Sequence, residues 1–179
     1  QNEINEYLKR KENYLKAFAM STSDDELQEE LQKVRLEAGL LDVKGQGVVI
    51  VLNDAPARKN VDPNSLIIHD SYIVQIVNEL KKAGAQAISV NGERILATSE
   101  QICTGPNIRI NKTRHPVPYE IKAIGDPDLL YKAVDSCSTV NLMRSFDISV
   151  QISKSKQVLI PKYSGNLKSL VSGLEVVGE

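Results

Sequence analysis

Tryptophan does not occur in this 179-residue chain, and tyrosine and phenylalanine bring the aromatic share to only 4%. The core must therefore be aliphatic, and there is no run of aromatic faces on which single-stranded nucleic acid could stack. Net charge is −1, whereas nucleic-acid binders carry a basic excess against the phosphates, so no nucleic-acid partner is expected. Only two histidines occur, His69 and His115, too few for a multi-histidine metal site. The two cysteines, Cys103 and Cys137, have neither metal-ligand nor C-x-x-C spacing. They read as small apolar core residues, with a single disulfide left open for a chain working outside the cytoplasm. No apolar window of about 18 residues is present to span a membrane. There is no G-x-S-x-G elbow, and Gly45-Gln46-Gly47 precedes a strand where a dinucleotide loop would open a helix. No cofactor, no resident metal and no catalytic residue are expected from these patterns.

What is present is ordinary soluble-domain material, 41% hydrophobic and 25% charged, long enough for one domain plus an accessory element. Its clearest stretch runs from Leu66 to Leu96. Asp70 or Ser71 suits a helix N-cap. Ile73, Ile76, Val77 and Leu80 then recur at helical spacing, and Gly84 suits the left-handed position that closes a helix. A short strand follows to Val90, and Asn91-Gly92 signals a tight hairpin from which Arg94-Ile95-Leu96 returns.

Residues 1–44 form an N-terminal helical segment in two parts. Ile4, Leu8, Leu15 and Phe18 stripe the first, and Ser23 with Glu26 matches a capping box for the second. There Leu27, Leu31, Val34, Ala38 and Leu41 step at heptad spacing, so the helix either packs on its own domain or ends a dimeric coiled-coil stalk. Residues 45–161 form the globular domain. Val48–Leu52 is apolar on both faces, as in mid-sheet. Val117 to Ala123 alternates, with Pro118 hinting at a sheet edge. Asp126-Pro127 starts a helix that breaks near Ser138. Ile148–Ile152 and Val158–Ile160 read as strands joined by a turn at Lys154-Ser155-Lys156. The order predicts an α+β domain with a β-α-β-β-α-β, ferredoxin-like core and extra hairpins. Residues 162–179 form a C-terminal tail.

Candidate site residues each have a plain structural reading beside the functional one. Asn78, Glu79, Asn91 and Arg94 could gather as an interaction site or small-ligand pocket. Asn91 is otherwise a turn residue, and Arg94 would pair with Glu79 or Glu93. Arg109, Lys112, Arg114 and His115 form the densest cationic patch, with Lys154, Lys156 and Lys162 another. Such patches suit an anionic surface or guard a sheet edge against pairing. Asp54, Asp62 and Asp70 could at most surround a hard cation, the basis of a third, hydrolytic alternative. Leu27, Leu31, Val34 and Leu41 are the candidate self-association seam.

The runs NSLIIHDSYIVQIVNELKKAGAQAISVNGERI, ICTGPNIRIN and PYEIKAIGDPDLL resemble, in that order, the bacterial family named domain of unknown function 881, over roughly residues 45–160. The resemblance implies a ferredoxin-like fold carried on a coiled-coil stretch behind an N-terminal membrane helix, which is expected to precede Gln1. Members are often encoded near cell-division and cell-wall genes of Gram-positive bacteria. The family carries no catalytic residue onto this chain. The resulting expectation is a non-enzymatic, membrane-anchored domain on the extracytoplasmic face, binding proteins of the envelope or division machinery and associating with itself. The alternative is a small-ligand-binding regulatory domain.

Overall fold

The structure, a computed structural model, describes residues 25–166, 172–175 and 177. The chain divides between Ala38 and Gly39 into two compact units. The first contributes one described helix, α1 (Asp25–Glu37). The earlier helix expected around Ile4 to Phe18, and the Ser23 capping box, lie outside the described residues. The seam read from the sequence is shorter than its heptad spacing implies. The helix stops at Glu37, so Leu41 lies beyond it, in the second unit. Gly39 takes a φ of +70°, a left-handed conformation that cannot continue an α-helix.

The second unit runs β1 (Val43–Asn53), a 3-10 turn (Pro63–Leu66), α2 (Asp70–Lys82), β2 (Ala87–Val90), β3 (Glu93–Arg94), β4 (Gln101–Cys103), β5 (Ile108–Ile110), β6 (Thr113–His115), β7 (Tyr119–Ile124), α3 (Pro127–Asp135), α4 (Ser138–Ser145) and β8 (Ser149–Ile160). It is an α+β unit. One sheet has the order β3-β2-β7-β1-β8 and a smaller one the order β4-β5-β6, and every pairing is antiparallel.

Local chemistry explains most of these boundaries. The stripe Ile73, Ile76, Val77 and Leu80 is buried along α2. Burial of four such side chains contributes roughly 6–12 kcal/mol gross. Past the helix, Gly84 at φ +87° brings the Gly84 and Ala85 amides back to the carbonyls of Lys81 and Leu80 at 3.1 and 3.0 Å. Asn91 and Gly92 take φ of 47° and 81°, the two positive values a type I′ hairpin demands. Asp126 Oδ1 accepts from the amides of Asp128 and Leu129 at 2.9 and 3.1 Å, with proline first in α3.

One face of the large sheet carries the main core. Val48, Ile50 and Leu52 of β1, Ile88 and Val90 of β2, and Ile121 and Ala123 of β7 pack with the apolar stripes of the three helices. Ile108 and Ile110 bring the small sheet into the same core. The opposite face holds a smaller cluster of Ala87, Ile124, Val158 and Ile160, with Val43 and Val49 against it.

Four expectations are corrected. β1 is central but not sealed on both faces, since Val49 and Val51 are half-buried; the helices cover one face only. β7 is no edge strand, being paired with β1 and β2. Pro118 precedes its first residue, in a cis Val117–Pro118 bond, so no ladder donor is lost. Lys154-Ser155-Lys156 is not a turn but part of one twelve-residue edge strand, whose register shifts opposite Gly45–Gly47. Asp70 begins α2 without capping it further along. Its oxygens accept from the amides of Ser71 at 2.7 Å and Cys103 at 2.7 Å, and the residue at the N-cap is His69.

Candidate functional site

Three acidic residues weighed for a cation are each committed to backbone. Asp54 Oδ1 accepts from the Ile68 amide at 2.8 Å, Asp62 Oδ1 from Asn64 at 3.0 Å, and Asp70 from Ser71 and Cys103. Among the described residues no three His, Cys, Asp or Glu side chains stand together as an ion site would need. The carboxylates close turns and join α2 to β4.

Cys103 and Cys137 are free thiols. Cys137 is buried between α3 and α4, as its apolar reading requires, but Cys103 is exposed on β4. The Asp70 amide donates to Cys103 Sγ at 3.2 Å while the Cys103 amide donates to Asp70 Oδ2. Partial burial, and then the adjacent Asp70 carboxylate, push the thiol above its usual range. A nucleophilic cysteine needs the opposite surroundings.

The cationic hairpin β5–β6 is partly neutralised. Arg109 Nε lies 3.1 Å from Glu100, and His115 Nε2 lies 3.8 Å from Glu93, beyond hydrogen-bond reach. Lys112 occupies the turn at φ +75°, and Arg114, cross-strand from Arg109, is exposed. Of the second patch, Lys154 pairs with Asp128 and stands 5.1 Å from the Tyr131 ring. Lys156 is exposed, and the Lys162 amide donates to Asp42 at 2.7 Å.

Asn78, Glu79, Asn91 and Arg94 do not converge. Asn78 is exposed on α2, and Glu79 pairs with Lys82 at 2.9 Å. The Asn91 side chain pins its hairpin to the start of β7, accepting from the Glu120 amide at 2.7 Å and donating to Pro118 O at 3.3 Å. Arg94 makes no ion pair with Glu79 or Glu93. Strand alternation sends Glu93 to the opposite face, near His115 and within 3.2 Å of Ser164 Oγ. Arg94 is only 6% exposed, and one guanidinium nitrogen donates to Leu41 O at 3.5 Å. Burial lowers its pKa from the usual arginine value.

Two contributors had no place among the candidates read from sequence. Ser89 is 1% exposed with its hydroxyl unpartnered; a lone serine between Ile88 and Val90 was the available signal. Tyr119, 1% exposed, accepts from the Ile108 amide at 3.1 Å and donates to His115 O at 3.0 Å. Those two backbone groups belong to residues that are partners in the β5–β6 register. The phenol thus ties the small sheet to the large one.

These features define a class: an antiparallel α+β domain in which the acidic and amide side chains just placed serve mostly its own backbone. Within that class, the model of the family described as bacterial protein of unknown function (DUF881) matches residues 30–171, and the chain belongs to that family. It is 40% identical over 134 residues to UPF0749 protein YlxW of Bacillus subtilis (strain 168), covering 73% of this chain and 57% of that protein. The chain thus spans little more than half the length of that relative. UPF0749 protein YlxX of the same organism is 26% identical over 162 residues, 89% of this chain and 68% of that one. UPF0749 protein Rv1823 of Mycobacterium tuberculosis (strain ATCC 25618 / H37Rv) is 27% identical over 145 residues, 72% of this chain and 44% of that one. The fold is similar to the crystal structure of a conserved protein from Mycobacterium tuberculosis. The TM-score is 0.63 at 20% identity, over 75% of this chain and 91% of that chain.

Proposed function

We propose that this chain is the extracytoplasmic part of a membrane-anchored bacterial protein that assembles with itself and with envelope or division proteins and catalyses no reaction. The observation that carries the reading is the face of α1, where Leu27, Leu31 and Val34 are 46, 37 and 54% exposed. Covering the exposed parts of these side chains on two helices would contribute roughly 4–8 kcal/mol gross. Association itself costs about 4–15 kcal/mol, so this seam alone gives a weak, concentration-dependent dimer. Tethering to a membrane raises the effective concentration and makes such a seam useful. A ferredoxin-like reading of the second unit accords with the order β1, α2, β2, β7, α3–α4, β8, with β3 and the small sheet as additions.

Sedimentation of the 1–179 chain across a concentration series tests the proposal. Self-association is expected, and Leu31→Asp should abolish it while circular dichroism stays unchanged. A strict monomer at high concentration, unaltered by Leu31→Asp, refutes the seam. The pocket alternative built on Asn78, Asn91 and Arg94 has lost its geometry, because α2 covers one face of the sheet and Arg94 occupies the other.

A further inference from the structure

Arg94 is the only charged side chain in the buried set of described residues. A guanidinium carries five N–H donors, and here, among the described residues, a 3.5 Å contact to Leu41 O is all it makes. Among the described residues no carboxylate pairs with it. Glu93 is on the other face, and Glu120, on the same face as Arg94, is held by Lys122 at 2.6 Å. A buried charge without a counter-charge is among the most unfavourable arrangements in a protein unless something compensates it.

The neighbours of Arg94 are arranged as if for such a compensating group. Ser89 is its direct partner in the β2–β3 register, and Lys122 is the partner of Ser89 in β7. Directly opposed residues share a face with Cβ atoms about 4.5–5.5 Å apart, so guanidinium, hydroxyl and ammonium form one row. The Ser89 hydroxyl is sealed from solvent and has no hydrogen-bond partner among the described residues, while Arg94 keeps 6% of its surface exposed. Residues 39–41 lie over the site. A Cβ added at Gly39 would stand 3.6 Å from Arg94 Nε, ordinary contact, and 2.6 Å from the end of the Leu96 side chain; it is the φ of +70° that favours glycine there.

We propose that Arg94 and Ser89 hold a small free oxyanion, a phosphate or carboxylate group, beneath residues 39–41. The planar guanidinium fork matches two oxygens of either group, and the serine hydroxyl donates to a third contact. The cover above Arg94 excludes a lipid headgroup or a polymer chain. The site is built from residues of the second unit, on the sheet face away from α2, α3 and α4, and uses none of the α1 seam residues, so either proposal can fail alone.

Calorimetric titration of the 1–179 chain with inorganic phosphate, and separately with acetate, at ionic strength held constant with chloride, tests it. Saturable binding of at least one anion is expected, and which one binds sets the ligand class. Ser89→Ala should weaken it about tenfold, the worth of one hydrogen bond to a charged group. Arg94→Gln should weaken it about a hundredfold or more. Should Arg94→Gln fail to fold, Arg94→Lys keeps the charge without the fork and should lose at least about tenfold. Neither anion binding saturably above the chloride background overturns the proposal, as does unchanged affinity in Ser89→Ala and Arg94→Lys.

Discussion

Replacing Tyr119 by phenylalanine removes one oxygen and should loosen one sheet from another. That oxygen stands between the Ile108 amide and the His115 carbonyl, at 3.1 and 3.0 Å. Without it both lose their partner in a region where Ile108 is 1% exposed. Each unsatisfied buried group costs about 1–3 kcal/mol. The two groups face each other in register, so partial closure of the ladder sets the lower end, and a total of roughly 2–4 kcal/mol is expected. For a unit of this size that lowers Tm by roughly 5–15 °C. Urea unfolding followed by circular dichroism measures the loss. Hydrogen exchange locates it, with amides of β5 and β6 exchanging faster while the β1–β7 pairing keeps its protection. A pH series adds a second signature. Burial pushes the phenol above its usual value of about 10, so the folded state holds that proton more tightly than the unfolded chain. The stability it contributes is therefore fully present below the unfolded value and lost as pH rises through the folded one. The gap between wild type and Tyr119→Phe should narrow above pH ~10. A loss below about 0.5 kcal/mol, with exchange unchanged in β5 and β6, would refute the role assigned to this hydroxyl.

Gly47→Ala should be far more damaging than its size suggests. The new Cβ would lie 1.9 Å from the Ala123 carbonyl oxygen, a backbone collision costing about 3 kcal/mol or more, which denaturant midpoints will register. Cys103 should react slowly with iodoacetamide at neutral pH despite its exposure. Asp70→Asn removes the neighbouring negative charge, lowers the thiol's pKa and should speed alkylation; an unchanged rate would argue against the electrostatic link.

The stretch from Leu66 to Leu96 was legible because each of its signals acts within a few residues. The α2 stripe, the Gly84 stop and the Asn91-Gly92 turn require no knowledge of distant chain. The Asp126-Pro127 helix start is legible for the same reason. What escaped depends on long-range partners. The Asp70 carboxylate looks like a cap until Cys103 arrives from 33 residues away. Lys154-Ser155-Lys156 has the composition of a turn, yet an edge strand with little cover can carry the same residues. Arg94 misled for a different reason. Glu93 is its nearest acid in sequence, but period-two alternation places adjacent strand residues on opposite faces, and that rule was available without the structure.

The register shift in β8 has a consequence for how the sheet is kept in place. Between Gly45 and Gly47 β1 advances two residues while β8 advances three, from Ser155 to Val158. The extra residue reverses which side the even-numbered positions occupy. Val150 and Ile152 look toward the helices, whereas Val158 and Ile160 supply the cluster on the far side. One strand thus serves as wall for two rooms. It also acts as a pawl in a ratchet. Sliding β8 by one position would carry the inversion away from the two glycines and turn both sets of apolar side chains outward at once. A side chain at Gly45 would press on Ile124 at 2.8 Å, and one at Gly47 on the β7 backbone. The outermost strand, ordinarily the one freest to slip, is here the one most tightly indexed.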